Sequence, residues 1–346
     1  MYSVDRENFK KYLLSFPQQI IESQEIFKKN KIEFKKGTVT EIVYLGMGGS
    51  AIAGDIIGEI LFDQLSLPIQ VIRGYEVPGY CSSSTLVIAS SYSGNTEETL
   101  QAVEYASQKG AKIVAITSGG TLHQLAKKKK WKVLDVPAGY PPRQAFGYLF
   151  FLAYQLILAV MNKSLAEEDF NYLFQFAETM IQRTDELSTE GKVFTKDLAI
   201  RIKNKIPIIY STSPHLNSVS VRWKNQFQEN SKSMAFSNTI PEMNHNEIVG
   251  WEMEGKLCQN YLVLFLENEQ NNPRIESRLQ LTKNIIRDRG ADVVEVYAEG
   301  KNLLSQTISL IITGDWTTYY LALLYEKDPS SIINIDYLKS ELKKLS

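Results

Sequence analysis

The chain has 346 residues, enough for two domains of about 150 residues each, and a hydrophobic content of 44% supports a core in both. A net charge of −1 argues against a nucleic-acid partner, which usually requires a basic surface. Two cysteines and a charged N-terminal segment unlike a signal peptide indicate a reduced, cytoplasmic protein. The longest apolar stretch, 147–161, is shorter than the ~20 residues of a membrane span, which predicts a buried helix and no membrane association.

The first half of the chain has the pattern of a doubly wound sheet. Residues 1–36 predict amphipathic helices, with Phe9, Leu13 and Ile20 at helical spacing. Short apolar runs then alternate with helical stretches, and these runs lie at 41–46, 69–74, 85–90, 112–117 and 132–137. Each run is uniformly apolar and is followed by a turn, which is typical of parallel strands buried on both faces. The alternation therefore predicts βαβ units.

The second half follows the same α/β plan. A helical stretch at 147–188 precedes predicted strands at 207–212, 233–238, 261–267 and 293–299. Predicted helices separate these strands at 217–231, 272–289 and 302–326. The fold class is therefore two doubly wound, flavodoxin-like parallel-sheet domains. The expected limits are N-terminal helices at 1–36, a first domain at 37–165, a helical connection at 166–190 and a second domain at 191–346.

A glycine-rich loop follows the first predicted strand. Residues 46–51 read GMGGSA and open a helix, so backbone amides and the helix N-terminus can face an anion. Gly48, Gly49 and Ser50 are therefore candidate phosphate ligands. A tight structural turn and a dinucleotide-binding loop also fit this short pattern.

A serine-rich loop follows the third predicted strand. Residues 90–99 read SSYSGNTEET, and Ser91, Ser93 and Thr96 supply hydroxyl donors. The loop has no lysine, and the chain contains no G-x-x-x-x-G-K-[ST] motif, so a nucleotide–magnesium site is not indicated. The composition favours a small phosphate monoester held by hydroxyls and amides.

The serine-rich loop is similar to the phosphosugar loop of sugar isomerase (SIS) domains. Together with GMGGSA, PPRQAFGYL (141–149), residues 222–251 and residues 328–344, it resembles the bifunctional phosphoglucose/phosphomannose isomerase family across essentially the whole chain. The resemblance implies two SIS-type domains and an aldose–ketose isomerase that needs neither metal nor cofactor. Its substrates would be hexose 6-phosphates: glucose 6-phosphate, mannose 6-phosphate or both, interconverted with fructose 6-phosphate.

Such a reaction needs a carboxylate base, a group that steadies an oxyanion and an acid–base pair that opens the sugar ring. From the residues alone, Glu229 reads as a solvated helix residue, and His245 in a polar loop is a plausible titratable group. The resemblance implies that Glu229 is the base and that His245, from the neighbouring subunit of a homodimer, opens the ring. It also implies that Arg143 stabilises the enediolate and that Lys339 is a site lysine. Glu242, close to His245, is assigned a structural or orienting role.

Two other classes of protein stay open. A non-catalytic SIS-domain sensor would bind a sugar phosphate without turnover, although the chain has no basic helix-turn-helix segment for an effector. An NADP-dependent oxidoreductase would explain GMGGSA alone. An NAD enzyme would carry an acidic residue at the end of the second strand, where this chain has Arg73-Gly74.

Overall fold

The computed structural model describes residues 4–185, 194–212, 214–269 and 272–344. The chain divides into two compact units: a first unit of Leu14–Glu178, and a second unit of Met1–Leu13 with Thr179–Ser346. No helix in the described ranges is long and apolar enough to cross a membrane. The expected domain limits stay a prediction, and the expected connection at 166–190 includes residues 186–190, which lie outside the described ranges.

The first unit is built on a five-stranded parallel sheet with the order β2-β1-β3-β4-β5. The strands are β1 (Glu41–Leu45), β2 (Ile69–Ile72), β3 (Thr85–Ser90), β4 (Lys112–Thr117) and β5 (Lys132–Asp135). The helices of this unit are α2 (Phe16–Asn30), α3 (Gly48–Ile60), α4 (Glu97–Gln108), α5 (Gly120–Lys129), α6 (Phe146–Val160) and most of α7 (Glu167–Asp185). They follow α1 (Lys10–Leu14), which lies almost entirely in the second unit. Every residue of β3 is buried, as the uniformly apolar run predicts.

Helix α6 confirms the buried helix expected at 147–161, since all its residues but Ala159 are buried. The single helical stretch predicted at 147–188 is wrong in detail, because it is interrupted between Val160 and Glu167. Asn162 takes a left-handed conformation with φ of 55°, which ends α6 and which asparagine tolerates better than most residues. The last predicted positions, 186–188, lie outside the described ranges.

The second unit repeats the plan with a four-stranded parallel sheet in the order β7-β6-β8-β9. The strands are β6 (Ile206–Thr212), β7 (Phe236–Ile240), β8 (Tyr261–Glu267) and β9 (Asp292–Tyr297). The helices are α8 (Phe194–Ile202), α9 (Asn217–Ser231), α10 (Gly255–Cys258), α11 (Pro273–Asp288), α12 (Leu303–Leu324) and α13 (Ile333–Leu342). Two parallel-sheet α/β domains are therefore confirmed.

The strand predicted at 233–238 is displaced toward the C-terminus. It begins at Phe236, because the preceding residues close helix α9 instead of pairing with the sheet. Lys232 is left-handed with φ of 53°, and the amide of Ser233 donates to the carbonyl of Phe227 at 3.1 Å. The apolar pattern does not distinguish this helix cap from the start of a strand.

The N-terminal segment is part of the core of the second unit. Phe9 is fully buried, and its ring stacks on that of Tyr319 in α12 with the centroids 6.3 Å apart. The hydroxyl of Tyr319 donates to the carboxylate of Asp5 at 3.0 Å, and the amide of Phe9 donates to the same carboxylate. The first turn of the chain therefore completes a unit whose other residues lie far along the sequence.

Candidate active site

The two predicted phosphate loops leave the sheet of the first unit side by side. β1 and β3 are neighbours, with Leu45 paired to Ala89, but the chain runs from β1 to one edge strand before returning to β3. This is the topological switch point, where open α/β sheets leave a crevice for ligands at the carboxyl ends of their strands. A Cβ on Gly46 would lie 3.0 Å from the carbonyl oxygen of Ser90, so glycine permits this close approach.

The serine loop, residues 91–96, presents two kinds of hydroxyl. Ser91 is buried, and its Oγ lies 2.9 Å from Oγ1 of Thr96. Ser93 is exposed and accepts a hydrogen bond from the amide of Asn95. Thr96 precedes α4 without capping it through its side chain, so its hydroxyl is directed into the loop and not to the helix amides. The structure therefore brings Ser91 and Thr96 together.

The serine loop is held by the loop that follows β4. Gly94 has φ of 66°, and a Cβ there would lie 1.8 Å from the carbonyl oxygen of Gly119, so no other residue fits without movement. Oδ1 of Asn95 accepts from both the amide and the hydroxyl of Thr121, each at 3.0 Å. The amide of Leu122 donates to the carbonyl of Gly94 at 2.8 Å. These contacts fix the loop in one shape.

The glycine loop, residues 46–50, lies against the turn that carries Arg143. Gly48 starts α3 with φ of 47°, and a Cβ on Gly49 would lie 3.3 Å from Cα of Arg143. Ser50 and Arg143 are both buried. The proline-containing turn Pro142–Gln144 follows β5 and places Arg143 beside the first turn of α3. Gly48, Gly49, Ser50 and Arg143 therefore form one cluster.

Helix α9, which carries Glu229, is attached to α12 by a buried polar stripe. Arg222, Gln226 and Asn230 follow at intervals of four residues, so they share one helix face. Arg222 forms a buried ion pair with Asp315 at 2.8 Å, and the Gln226 amide donates to the same carboxylate at 2.7 Å. Glu229 lies along this stripe at the end of the helix, where it is only partly buried.

Replacing Asp315 by alanine is expected to lower the free energy of unfolding by about 3–5 kcal/mol, because it removes the carboxylate that balances a buried guanidinium. Urea denaturation measures the loss. Asp292→Ala is the matched control, since Asp292 pairs with Arg201 in a more exposed ion pair. That change is expected to cost less than about 1 kcal/mol. Equal losses for the two variants would show that the buried stripe does not stabilise α9.

The end of α9 is anchored by Lys232, a residue that the sequence did not single out. Its ammonium group donates to the carbonyls of Glu229 and Asn230, at 2.8 Å and 3.2 Å. It also donates to the carbonyls of Asp328 and Pro329, which precede α13. A lysine after a helix is common, so no local signal in the sequence reveals this role.

His245 lies in an exposed, polar turn after β7, within Glu242–His245. The side chain of Asn244 donates to Oγ1 of Thr282 in α11 at 2.8 Å. Asn246, on the other side of the histidine, donates to the carboxylate of Glu242 at 2.7 Å. The structure thus gives Glu242 a partner within the turn, and its structural or orienting role stays a prediction.

Glu247, two residues after His245, also anchors the turn to the sheet. Its carboxylate accepts from the hydroxyl of Tyr210 and from the side chain of Asn238, both at 2.6 Å. Burial, together with this carboxylate, raises the pKa of the Tyr210 phenol, so the hydroxyl remains a donor. The peptide that carries His245 is therefore fixed although the imidazole is exposed.

Glu229 and His245 of one chain lie near opposite ends of the strands of the second sheet. α9 begins after the carboxyl end of β6 and runs back along the sheet, so Glu229 is near the amino ends of the strands. β7 then runs parallel to β6, with Phe236 opposite Ile208 and Ile240 opposite Thr212. His245 follows its carboxyl end. The strand alone spans about 13 Å at 3.3 Å per residue, so the two side chains of one chain are not neighbours.

Lys339 lies on α13, a helix with no buried residue. Its large apolar side chains are exposed, among them Ile333, Tyr337 and Leu338. The structure gives Lys339 no buried environment of the kind that surrounds Arg143, so its role as a site lysine stays a prediction.

Two further observations bear on cofactors. Within the described ranges, no three His, Cys, Asp or Glu side chains are grouped to hold a metal ion. Arg73, the residue that would accommodate a 2′-phosphate of NADP, forms an ion pair with Asp55 of α3. The arginine that could bind a 2′-phosphate is thus already paired with a carboxylate.

Comparisons with known proteins agree with this architecture. The SIS domain family matches residues 39–159, and the family described as the bacterial phospho-glucose isomerase C-terminal SIS domain matches residues 194–342. A bifunctional phosphoglucose/phosphomannose isomerase from Caldicellulosiruptor bescii is 37% identical over 331 residues, covering 96% of this chain and 98% of the relative. A D-glucosamine-6-phosphate 4-epimerase from Sulfolobus acidocaldarius is 38% identical over 214 residues, 61% of this chain and 64% of the relative.

The structural comparison supports the same fold. The crystal structure of a hypothetical protein from Thermus thermophilus superimposes with a TM-score of 0.77, covering 98% of this chain and 91% of that one, at 16% identity. Two parallel sheets, with a hydroxyl-rich loop at the switch point of the first, define a protein of the double SIS-domain class. Within that class, the chain belongs to the bifunctional phosphoglucose/phosphomannose isomerase family.

Proposed function

We propose that this protein is an aldose–ketose isomerase that interconverts glucose 6-phosphate and mannose 6-phosphate with fructose 6-phosphate. The observation that carries the proposal is the 37% identity to a bifunctional isomerase over 96% of the chain. The serine loop at the switch point supports it, because hydroxyl and amide donors suit a terminal phosphate. We further propose that the protein acts in the cytoplasm, where these metabolites are found.

The phosphate is assigned to the first unit alone. By strand order, β8 in the second sheet corresponds to β3 in the first, but it ends in Glu267 instead of a serine loop. The carboxylate of Glu267 is buried with Lys283, whose Nζ lies 2.6 Å from Glu267 and 3.2 Å from Glu295. Burial raises the pKa of Glu267, and the lysine opposes the shift. β8 therefore ends in a carboxylate whose lysine partner is already engaged, and such a strand end does not favour phosphate. We expect one phosphate site per chain.

The proposed chemistry is a proton transfer between two carbons. Glu229 removes the proton from C2 of the open-chain aldose, and the electrons move into an enediolate whose charge rests on O1. Arg143 stabilises that charge. A proton moves from O2 to O1, and Glu229 returns its proton to C1, which leaves the ketose. Glucose and mannose 6-phosphates give the same enediol, because they differ only at C2.

We propose that His245 serves the neighbouring subunit of a homodimer, where it opens the sugar ring. Glu229 and His245 lie near opposite ends of the strands of one sheet, which supports this proposal because a single chain does not bring the two groups to one sugar. Imidazole suits ring opening because it gains and loses a proton near neutral pH. The exposure of His245 is compatible with service to a second chain.

The decisive experiment supplies fructose 6-phosphate in the presence of EDTA and follows glucose 6-phosphate and mannose 6-phosphate separately. Formation of both products supports the proposal. Binding without turnover would favour a sensor, and a change in nicotinamide fluorescence on adding NADP would favour an oxidoreductase. Turnover of glucosamine 6-phosphate but not of fructose 6-phosphate would favour a 4-epimerase like the Sulfolobus relative.

Replacing Ser91 and Ser93 together by alanine is expected to raise KM about 100-fold or more, because hydrogen bonds to a charged group contribute roughly 1.5–3 kcal/mol each. Steady-state kinetics with fructose 6-phosphate measure the change, and kcat should fall much less. Ser66→Ala, between α3 and β2 and outside both phosphate loops, is the control and should behave like the wild type. An unchanged KM in the double variant would refute the phosphate loop.

A further inference from the structure

Helix α2, which precedes the matched SIS segment 39–159, reaches the turn that carries Arg143. Gln19 of this helix is fully buried. Its side-chain amide donates to the backbone carbonyl of Gln144 at 2.8 Å, across 125 residues of sequence. Because Gln144 directly follows Arg143, this bond holds the carbonyl one residue beyond the arginine and so fixes the end of the turn that carries it.

The surroundings of Gln19 are shaped for this bond. A Cβ on Gly147 would lie 2.7 Å from Oε1 of Gln19, so a glycine in the first turn of α6 makes room for the glutamine. The hydroxyl of Ser23 donates to the carbonyl of Gln19 at 2.6 Å. One turn along α2, Glu22 accepts from the hydroxyl of Tyr148 at 2.5 Å. The helix is therefore anchored directly beside the arginine turn.

Two buried polar atoms beside this bond offset much of its stabilisation. Among the described residues, Oε1 of Gln19 and Nε2 of Gln144 are both buried without a hydrogen-bond partner. An unpaired buried polar atom costs roughly 1–3 kcal/mol, about as much as one hydrogen bond contributes. An apolar residue at position 19 would remove the donor to the Gln144 carbonyl together with the unpaired Oε1, so we expect its net effect on stability to be small.

We propose that Gln19 is a positioning residue for Arg143, which rests on the role proposed for Arg143 above. The turn is bounded on two sides: Gly49 lies against Cα of Arg143, and Gln19 holds the next carbonyl. Together they set the direction of a buried guanidinium. A displacement of a catalytic group by about 1 Å can cost 100-fold in rate, so a small backbone shift at this turn is sufficient to matter.

Gln19→Met keeps the size of the side chain and removes its amide. We expect kcat to fall about 10- to 100-fold, with KM for fructose 6-phosphate changed less than about threefold. Gln155→Met is the matched control, because Gln155 is also buried between α6 and α2, where it donates to the carbonyl of Ser23 at 3.3 Å. Gln155 lies eleven residues beyond Gln144, roughly 15 Å along α6. The kcat of the Gln155→Met variant should therefore equal that of the wild type.

A double-mutant cycle with Arg143→Ala separates the possible outcomes. If Gln19 acts through Arg143, Gln19→Met should change kcat less than about twofold once the arginine is absent. A full additional loss in the Arg143→Ala background would overturn the proposal. If Arg143→Ala alone has no effect on kcat, the role of Arg143 in the proposed function fails instead.

Gln19→Glu provides a second test if the methionine variant does not fold. A carboxyl group can donate to the Gln144 carbonyl only while it is protonated. The ratio of kcat in this variant to wild-type kcat should therefore fall as pH rises through the pKa of the new carboxyl group. A ratio that is constant with pH would contradict a positioning hydrogen bond.

Discussion

Replacing Glu229 by glutamine is expected to lower kcat about 1,000- to 10,000-fold, because the amide cannot accept the carbon-bound proton. The change preserves shape at the end of α9, where Lys232 and the polar stripe of α9 hold the backbone without the carboxylate. Binding of fructose 6-phosphate, measured by calorimetry, should change little. Exchange of the C1 proton of fructose 6-phosphate with deuterated solvent, followed by NMR, should stop along with isomerisation.

Glu276→Gln is the control for this experiment. Glu276 is an exposed residue in the first turn of α11, and its partner Gln280 is on the same helix. Its kcat should match that of the wild type. If the Glu229 variant keeps wild-type kcat, another carboxylate is the base; if it loses substrate binding as well, the residue has a structural role.

A hybrid dimer of two inactive variants is expected to recover about half of the wild-type activity, since one of its two symmetry-related sites combines both intact groups. One chain carries Glu229→Gln, and the other carries His245→Asn. Alone, the histidine variant should lose about 100-fold or more in kcat. Co-expression with two different affinity tags yields the hybrid, and its kcat on fructose 6-phosphate is compared with that of each parent.

The hybrid distinguishes two arrangements of the active site. If both groups came from one chain, each site in the hybrid would lack one of them, and activity would stay at the level of the parents. A chain that remains monomeric at assay concentrations would also contradict the shared site. Sedimentation of the wild type decides this independently of catalysis.

The sheets could be predicted because their central strands, such as β3 and β8, are buried on both faces. The outer strands are only partly buried, so the expected burial on both faces was wrong for β2 and β5. A largely apolar run such as β3 has one stable place in an α/β protein. The strands of both units lie within about two residues of the predicted limits, except that β7 begins three residues late. β7 begins three residues later than predicted because Lys232 is left-handed and the amide of Ser233 bonds back to Phe227, which closes α9. Similarly, the break at Asn162 is a backbone event that hydrophobic periodicity does not record.

The sequence indicates which residues form the candidate site, but not the contacts that hold those residues in place. Serines, glycines and an arginine after strand ends indicate an anion site, and the structure does group Arg143 with Gly49. The contacts that hold these residues come from distant segments. Gly94 meets Gly119, and Gln19 meets Gln144, and neither pair is visible in a local pattern. Such pairings follow only from the folded topology.

The position of Phe9 and Asp5 in the core of the second unit affects how the chain can be synthesised. These residues are synthesised long before their partner Tyr319, which belongs to α12, a helix that begins at Leu303. At translation rates of about 5–20 residues per second, the segment waits roughly 15–60 s for that partner. The first unit can fold during this interval, whereas the second cannot complete its core until α12 has been synthesised, and it then needs residues that were made before the first unit. A fragment that starts at residue 179 would lack the buried ring of Phe9 and should aggregate unless residues 4–13 are supplied as a peptide.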